Sequence, residues 1–517
     1  MPDKLYNLLI DPLITVTPYG RPAQTLSLPQ VLAALGQDEP FEFAALQPHQ
    51  SHAWHAFLVQ LAAIVLHQRG AGLADMLEST QWQEAIREAS SGDDSPWTLV
   101  VPDLAAPAFM QPPVPEGSVD TWKNSTVTPD AIDLLQTAKN HDVKMERIAV
   151  PRPEHWIFAL VALQTMEGYG GKENYGIARM NGGYGSRPGF ATCADLSWPT
   201  RFRRDVDLLL EARDEIAREQ SFDFETGLAF VWLQPWDGVQ QLDIKELDPF
   251  FIEICRRVRL FYDEGRIVAR WTTSKRQRLA AAEFKGNLGD PWVPVKVDDS
   301  AALTTRRLDY ELLQRVLFDG DFKPSRASIP RPGDGNEPLL FCQLFARDQG
   351  KTDGYHERLI PIPPKARLRL ATEQGRRELG ELSKKRLAEI EKVAQALRQA
   401  VNALLRGGGD GESKSTNNLI SPFIKSFDDE VDHIFFAELF ADLELESDVA
   451  RRKWLRQLLN IARRTLEMAK ESAPIPSARL FRARAAADRV FDCHEYSLRK
   501  AAGEFLGEGE KDGRTIS

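Results

Sequence analysis

Two rhythms of apolar and polar positions divide this chain of 517 residues. Up to about Pro364 the pattern alternates between short extended runs, apolar helical runs and proline-rich connectors. "YNLLIDPLITVT" (Tyr6–Thr17) reads as an extended segment interrupted by Pro12. "SLPQVLAAL" (Ser27–Leu35) reads as a short helix with Pro29 in its first turn. "SHAWHAFLVQLAAIVLHQ" (Ser51–Gln68) has helical length and an apolar face nearly closed on itself, which predicts a buried helix. "PEHWIFALVALQTM" (Pro153–Met166) predicts a second one, started by Pro153. "GLAFVWLQPW" and "RIVARWTT" are rich in β-branched and aromatic residues and predict strands, and "PAFMQPPVPEG" is a connector.

After Pro364 prolines nearly vanish and one period takes over. Leu379, Leu382, Ile390, Val393, Leu397, Val401 and Leu404 recur at steps of three and four, or in one case twice four, the spacing of one helix face. "RGGGDGESKSTNN" follows as a flexible loop. Helical segments are predicted at 420–445, 448–472 and 477–502. The fold class expected is α+β: a large mixed N-terminal domain over residues 1–370 and a C-terminal four-helix bundle over 371–517.

Composition narrows the function classes. The formal net charge is -10, so no global basic field advertises a nucleic-acid partner, and any such partner must be held by local patches. The cysteines, Cys193, Cys255, Cys342 and Cys493, are far apart, which argues against a zinc ribbon or a disulfide framework. The first residues lack the basic-then-apolar pattern of a signal peptide. The apolar stretch 56–66 is too short to span a bilayer. A cytoplasmic protein without a membrane role is expected.

The least ordinary segment is "EGYGGKENYGIARMNGGYGSRPG", Glu167–Gly189. It is not a dinucleotide loop, because Gly168 and Gly170 would need a third glycine at Glu173, and the segment follows a helix rather than a strand. "QGKTDG" (Gln349–Gly354) resembles part of a phosphate loop, but the leading glycine of that motif falls on Phe345. "HQSHAWH" spaces His49, His52 and His55 by three. A metal site is one reading, and solvated imidazoles at a helix start are favoured over it. "FDDEVDHIFF" offers Asp428, Asp429, Glu430, Asp432 and His433 to a hard cation, or else acidic residues complementing a helix start, which is the favoured reading. No nucleophile motif is present, and Cys193 reads as a small buried residue.

A basic concentration remains. Arg256, Arg257, Arg259, Arg266, Arg270, Lys275, Arg276 and Arg278 crowd one stretch with Phe261 and Trp271 among them, and "WPTRFRR" (Trp198–Arg204) adds a second. Such residues suit phosphate contacts, and intramolecular ion pairing is the competing reading. Glycine lets backbone approach a groove closely, while Lys172, Arg179 and Arg187 bring charge to the glycine stretch.

The ordered features "NLLIDPLITV…G…LSLPQVL", "PAFMQ", "KNHD" (Lys139–Asp142), the glycine stretch after an apolar helix, and "RDQGKTDGYHER" before a terminal bundle resemble the CasA family, over essentially the whole chain. CasA proteins are large subunits of the type I-E Cascade CRISPR surveillance complex. The resemblance implies a non-catalytic protein that reads the PAM, the short motif flanking the target, in double-stranded DNA, largely from the minor groove. It also implies a wedge that starts strand separation, docking of a helicase-nuclease, and partnership with guide RNA and the other Cascade subunits.

By resemblance, the PAM-contacting loop maps to Tyr169, Gly170, Gly171 and Lys172, or to Asn181, Gly182 and Gly183. A further cation comes from Lys275, Arg276, Arg278 or Lys285. The wedge hairpin matches Arg347–Lys351, with Gln349 at its tip or Gly350 after a one-residue shift. A loop near the guide and the PAM matches Asn140, His141, Val143 and Lys144. Some members carry a cysteine cluster suited to zinc. This chain has none, so neither a structural metal nor a cofactor is expected. Two other readings stay open: a metal-dependent nuclease using Asp428–His433, and a purely structural scaffold with a flexible glycine loop.

Overall fold

Local signals near the N-terminus act as their chemistry dictates. In the computed structural model, which describes residues 5–90, 92–134, 147–183, 187–223, 225–348, 351–407 and 417–504, the Leu28–Gly36 helix begins at Ser27. The Ser27 amide donates to Gln30 Oε1 at 2.8 Å, and Pro29 occupies the first turn, where no amide is needed. Pro12 separates two strands, Leu5–Asn7 and Ile14–Pro18.

The chain divides into two compact units, Met1–Leu308 with Asp321–Leu359, and Asp309–Gly320 with Ile360–Ser517. The core of the first is built around the Ser51–Arg69 and Pro153–Met166 helices, both buried over nearly their whole length. Trp54, Phe57 and Phe158 pack there with ring centroids 5.0–5.4 Å apart. Each such side chain contributes about 1.5–3 kcal/mol of burial. The helix Trp198–Gln220 packs against this core through Phe202, Val206, Leu209 and Ile216.

Short sheets surround these helices. Arg257–Asp263 pairs antiparallel with Arg266–Thr272, which pairs with Asn124–Thr126. Leu339–Asp348 lies between Lys351–Pro361 and Gly189–Cys193. Leu228–Phe230 runs parallel to Leu247–Ile252. The predicted strand "GLAFVWLQPW" is therefore only partly a strand: after Phe230 the chain tightens into a 3-10 turn, Val231–Leu233, that buries Trp232. The Trp198–Gln220 helix is where the sequence suggested only a basic patch.

The second unit is helical. Its long helices are Glu373–Leu405, Asn417–Ala441, Ser447–Ser472 and Leu480–Ala501, the C-terminal helical part of an α+β chain. Thr372 Oγ1 caps the first by accepting the Gly375 amide at 3.1 Å. The residues of the helical period are buried except Leu382, which is half-buried. Arg386 is also buried, paired with Asp442 and, at 3.1 Å, with Glu389, over the Trp454 ring.

Candidate nucleic-acid interface

The buried Pro153–Met166 helix stops at Glu167, whose backbone turns extended, and the glycine stretch then folds back on itself. The Tyr169 amide donates to Gly183 O at 2.8 Å, Ile177 N to Glu167 O at 3.0 Å, and Gly170 N to Asn174 O at 2.8 Å. These bonds bring the two candidate halves, around Gly171 and around Gly183, side by side. One glycine makes the crossing possible: a Cβ on Gly176 would lie 2.6 Å from the Gly168 carbonyl carbon, far inside contact distance. Gly183 is needed for a different reason, its φ of +87°.

A third segment joins this surface. The Ser274 amide donates to Glu173 O at 2.9 Å, Thr273 Oγ1 to Glu173 Oε2 at 3.3 Å, and Gln277 Nε2 to Gly176 O at 3.1 Å. Lys275 and Arg276 follow, their amides held by Gly238 O at 2.7 and 3.2 Å. Lys285 is next to the other half, because Gly286 packs on Met180 and Asn181. Lys172, Lys275 and Arg276 are exposed and carry no ion-pair partner among the described residues, while Lys285 is paired with Asp299 at 3.5 Å. Gly170, Asn181, Gly182 and Gly183 are exposed, and Tyr169 and Gly171 half-buried.

Several cations assigned to this face belong to the interior instead. Arg278 is buried over the Trp236 ring and donates to Gln234 O at 3.1 Å. Arg179 lies under the protein surface, 4.1 Å from the Phe251 ring centre, and burial pulls its pKa down to about 10, still charged at neutral pH. Arg187 is buried against Asp290 and Trp292. Arg257 pairs with Glu116 at 2.6 Å, and Arg259 is caged by the carbonyls of Val101, Asp103 and Ala106. In "WPTRFRR", Arg201 is buried, Arg204 is bound to Asp334 and Asp205, and Arg203 pairs with Asp38. The basic concentration thus splits into an interior set and an exposed set, the latter including Arg266, Arg270, Lys275 and Arg276.

Glu167, passed over in the sequence, ties the loop to the hairpin. It is 2% exposed, it accepts from Arg347 of the Leu339–Asp348 strand, and its Oε1 lies 3.6 Å from Arg256 Nη2. Arg256 in turn donates to Gly168 O at 3.1 Å and to Tyr175 O. One carboxylate therefore fixes the base of the hairpin and the arginine that clamps both ends of the first half of the loop. Arg347, assigned to the wedge, is an anchor. Gln349 and Gly350, and the loop residues Asn140, His141, Val143 and Lys144, lie outside the described residues.

The imidazoles are not solvated as expected. His49 and His55 are buried and bonded to Asp133 at 2.7 Å and Asp205 at 2.8 Å, and burial holds His52 well below its ordinary pKa. The acidic cluster sits inside the Asn417–Ala441 helix, not at its start, so helix-dipole complementarity does not explain it. Its members point to separate partners: Asp429 to Lys425 at 2.6 Å, Glu430 to Arg464 at 2.5 Å, and Asp432 to the Tyr310 amide at 2.6 Å. Among the described residues no group of three or more metal-ligating side chains converges. Cys193 is buried, its thiol pushed up to about 12 by burial. Among the described residues no helix is long and apolar enough to cross a membrane.

No family model matches the sequence, and no curated protein matches it significantly. Solved structures do. CasA of Thermus thermophilus aligns with a TM-score of 0.63 at 17% identity, covering 96% of this chain and 100% of that one. Cse1 of Acidimicrobium ferrooxidans aligns with a TM-score of 0.64 at 14% identity, covering 97% and 99%. Cse1 of Thermobifida fusca aligns with 0.63 at 14% identity, covering 96% and 98%. From end to end, this chain has the fold of the CasA/Cse1 proteins.

Proposed function

We propose that this chain is the non-catalytic large subunit of a type I-E Cascade complex in the cytoplasm, reading the PAM of double-stranded DNA while guide RNA reads the target. The observation that carries the reading is the surface on which the glycine backbone of 170–183 meets Lys172, Lys275 and Arg276, exposed cations without an internal partner among the described residues. Exposed glycine backbone suits the narrow minor groove, where readout is degenerate, and cations at its edges suit the flanking phosphates. In this reading Gln349 at the hairpin tip starts strand separation, the residues up to about 370 carry PAM recognition, and the terminal bundle completes the subunit. The assembled complex would dock a helicase-nuclease.

The test is assembly followed by binding. The chain is co-expressed with guide RNA and repeat-binding subunits, and the purified complex is titrated with duplexes that differ only in the PAM. Co-purification with a preference for the PAM duplex supports the proposal. Assembly without any preference favours a structural scaffold.

A further inference from the structure

A second site lies inside the first unit, between the Ser51–Arg69 helix, the Trp198–Gln220 helix and the Gly189–Cys193 strand. There a cavity of ≈ 10 Å³ is lined by His52, His55, Thr192, Arg201 and Gln343, among others. That is about the space required by a single water-sized occupant.

The lining is unusual in its charge. Arg201 is 7% exposed and held between the Trp198 and Phe341 rings, 4.7 and 5.3 Å from its guanidinium carbon. A guanidinium carries five N–H donors, yet the Arg201 side chain has no hydrogen-bond acceptor among the described residues, and its Nε is fully enclosed. His52 Nε2, equally enclosed, has no partner either. The nearby carboxylate is already engaged: Asp205 accepts from His55 at 2.8 Å, Trp292 at 2.7 Å and Arg204 at 3.0 Å. Thr192 Oγ1 donates to Ser328 O, and the Gln343 amide donates to Ser51 and Tyr355. A buried cation and an imidazole therefore border one small space, and neither Arg201 Nε nor His52 Nε2 has an acceptor among the described residues. Leaving such groups unmet is costly, because a buried donor or charge loses its hydration without compensation.

We propose that this cavity binds one halide-sized monovalent anion, which accepts from Arg201 and from His52 Nε2–H. Asp205 and Glu42 act on the Arg201 charge through space without accepting a hydrogen bond from it, and the anion supplies that acceptor. The site is too small for phosphate or sulfate, and it lies apart from the glycine surface, so it stands independently of the DNA-binding reading.

The experiment uses the full chain. Thermal unfolding is measured in sodium bromide, chloride and gluconate mixtures at fixed ionic strength. Bromide generally weakens folded proteins relative to more strongly excluded anions, so a saturable rise in Tm with bromide or chloride at gluconate's expense marks specific binding. Arg201→Met, which keeps the stacked length without the charge, should abolish the rise. Crystals grown with bromide should show an anomalous peak between Arg201 Nε and His52 Nε2, a readout that holds even where the variant does not fold. A Tm that ignores anion identity, or density fitting only water at that place, overturns the proposal.

Discussion

Glu167 gives the sharpest stability prediction. Replacing it by Gln keeps the volume but leaves Arg347 and Arg256, both under one-tenth exposed, around a neutral amide. Removing one partner of a buried ion pair costs about 3–5 kcal/mol, because the remaining charge stays desolvated. Gln retains one acceptor, so the lower end, roughly 3 kcal/mol, is expected. The assay is guanidinium unfolding at pH 7 followed by tryptophan fluorescence, taking the transition of the first unit. Pairing it with Arg347→Met makes a cycle: the double variant should be less destabilised than the sum of the singles, because it removes both charges. A shift for Glu167→Gln within ~0.5 kcal/mol, the range of ordinary surface changes, would refute the idea that this carboxylate holds loop and hairpin together.

Gly176→Ala should unravel the loop crossing, because its Cβ meets backbone rather than a movable side chain. Faster hydrogen exchange at the Tyr169 and Ile177 amides checks it, and unchanged protection counts against it. Burial pushes the Asp205 carboxyl up, but bonds and charge from His55 and Arg204, with the Trp292 bond, outweigh it and hold it at about 2. Its stabilisation is therefore full above an unfolded pKa of about 3.9 and is lost as pH falls toward the folded value. An acid-unfolding curve for Asp205→Asn should lack that segment. Asp428 has the opposite sign: burial, then the Glu311 and Asp429 charges, raise it to about 6. The folded state prefers the protonated form, so stability falls as pH rises from about 4 through the folded value. Asp428→Asn should be the more stable protein at pH 7 and lose that advantage in acid, as thermal melts at both pH values would show.

Helices were the legible part of the fold. The Pro153–Met166 helix starts at the proline that marks it, and the bundle period names its buried face. Such signals are local, and neighbouring residues carry them. In the Trp198–Gln220 helix the arginines mask an apolar stripe at helical spacing, made by Trp198, Phe202, Val206 and Leu209. The candidate surface was half legible. Glycine and cation content marked segments that the fold brings together, but composition cannot tell Lys275, exposed, from Arg278, buried over Trp236 three residues later. Long guanidiniums bury well when rings and carbonyls receive them. Glu167 and Gly176 were invisible for another reason: their roles lie in contacts 180 residues away and across a crossing of the loop on itself.

The surface formed by the glycine loop with Lys172, Lys275 and Arg276 is proposed to read the PAM. Its most direct test is the affinity ratio of the assembled complex for PAM and PAM-free duplexes, measured over a range of salt. Lys172→Ala and Gln349→Ala should shrink the ratio. The Lys275→Ala/Arg276→Ala double variant should instead weaken both duplexes alike and reduce the salt slope by about 2, about 1 per lost phosphate contact. Variants at Lys172 and Gln349 that keep the unaltered ratio, with a double variant that keeps the unaltered slope, would rule out a PAM-reading role for this surface.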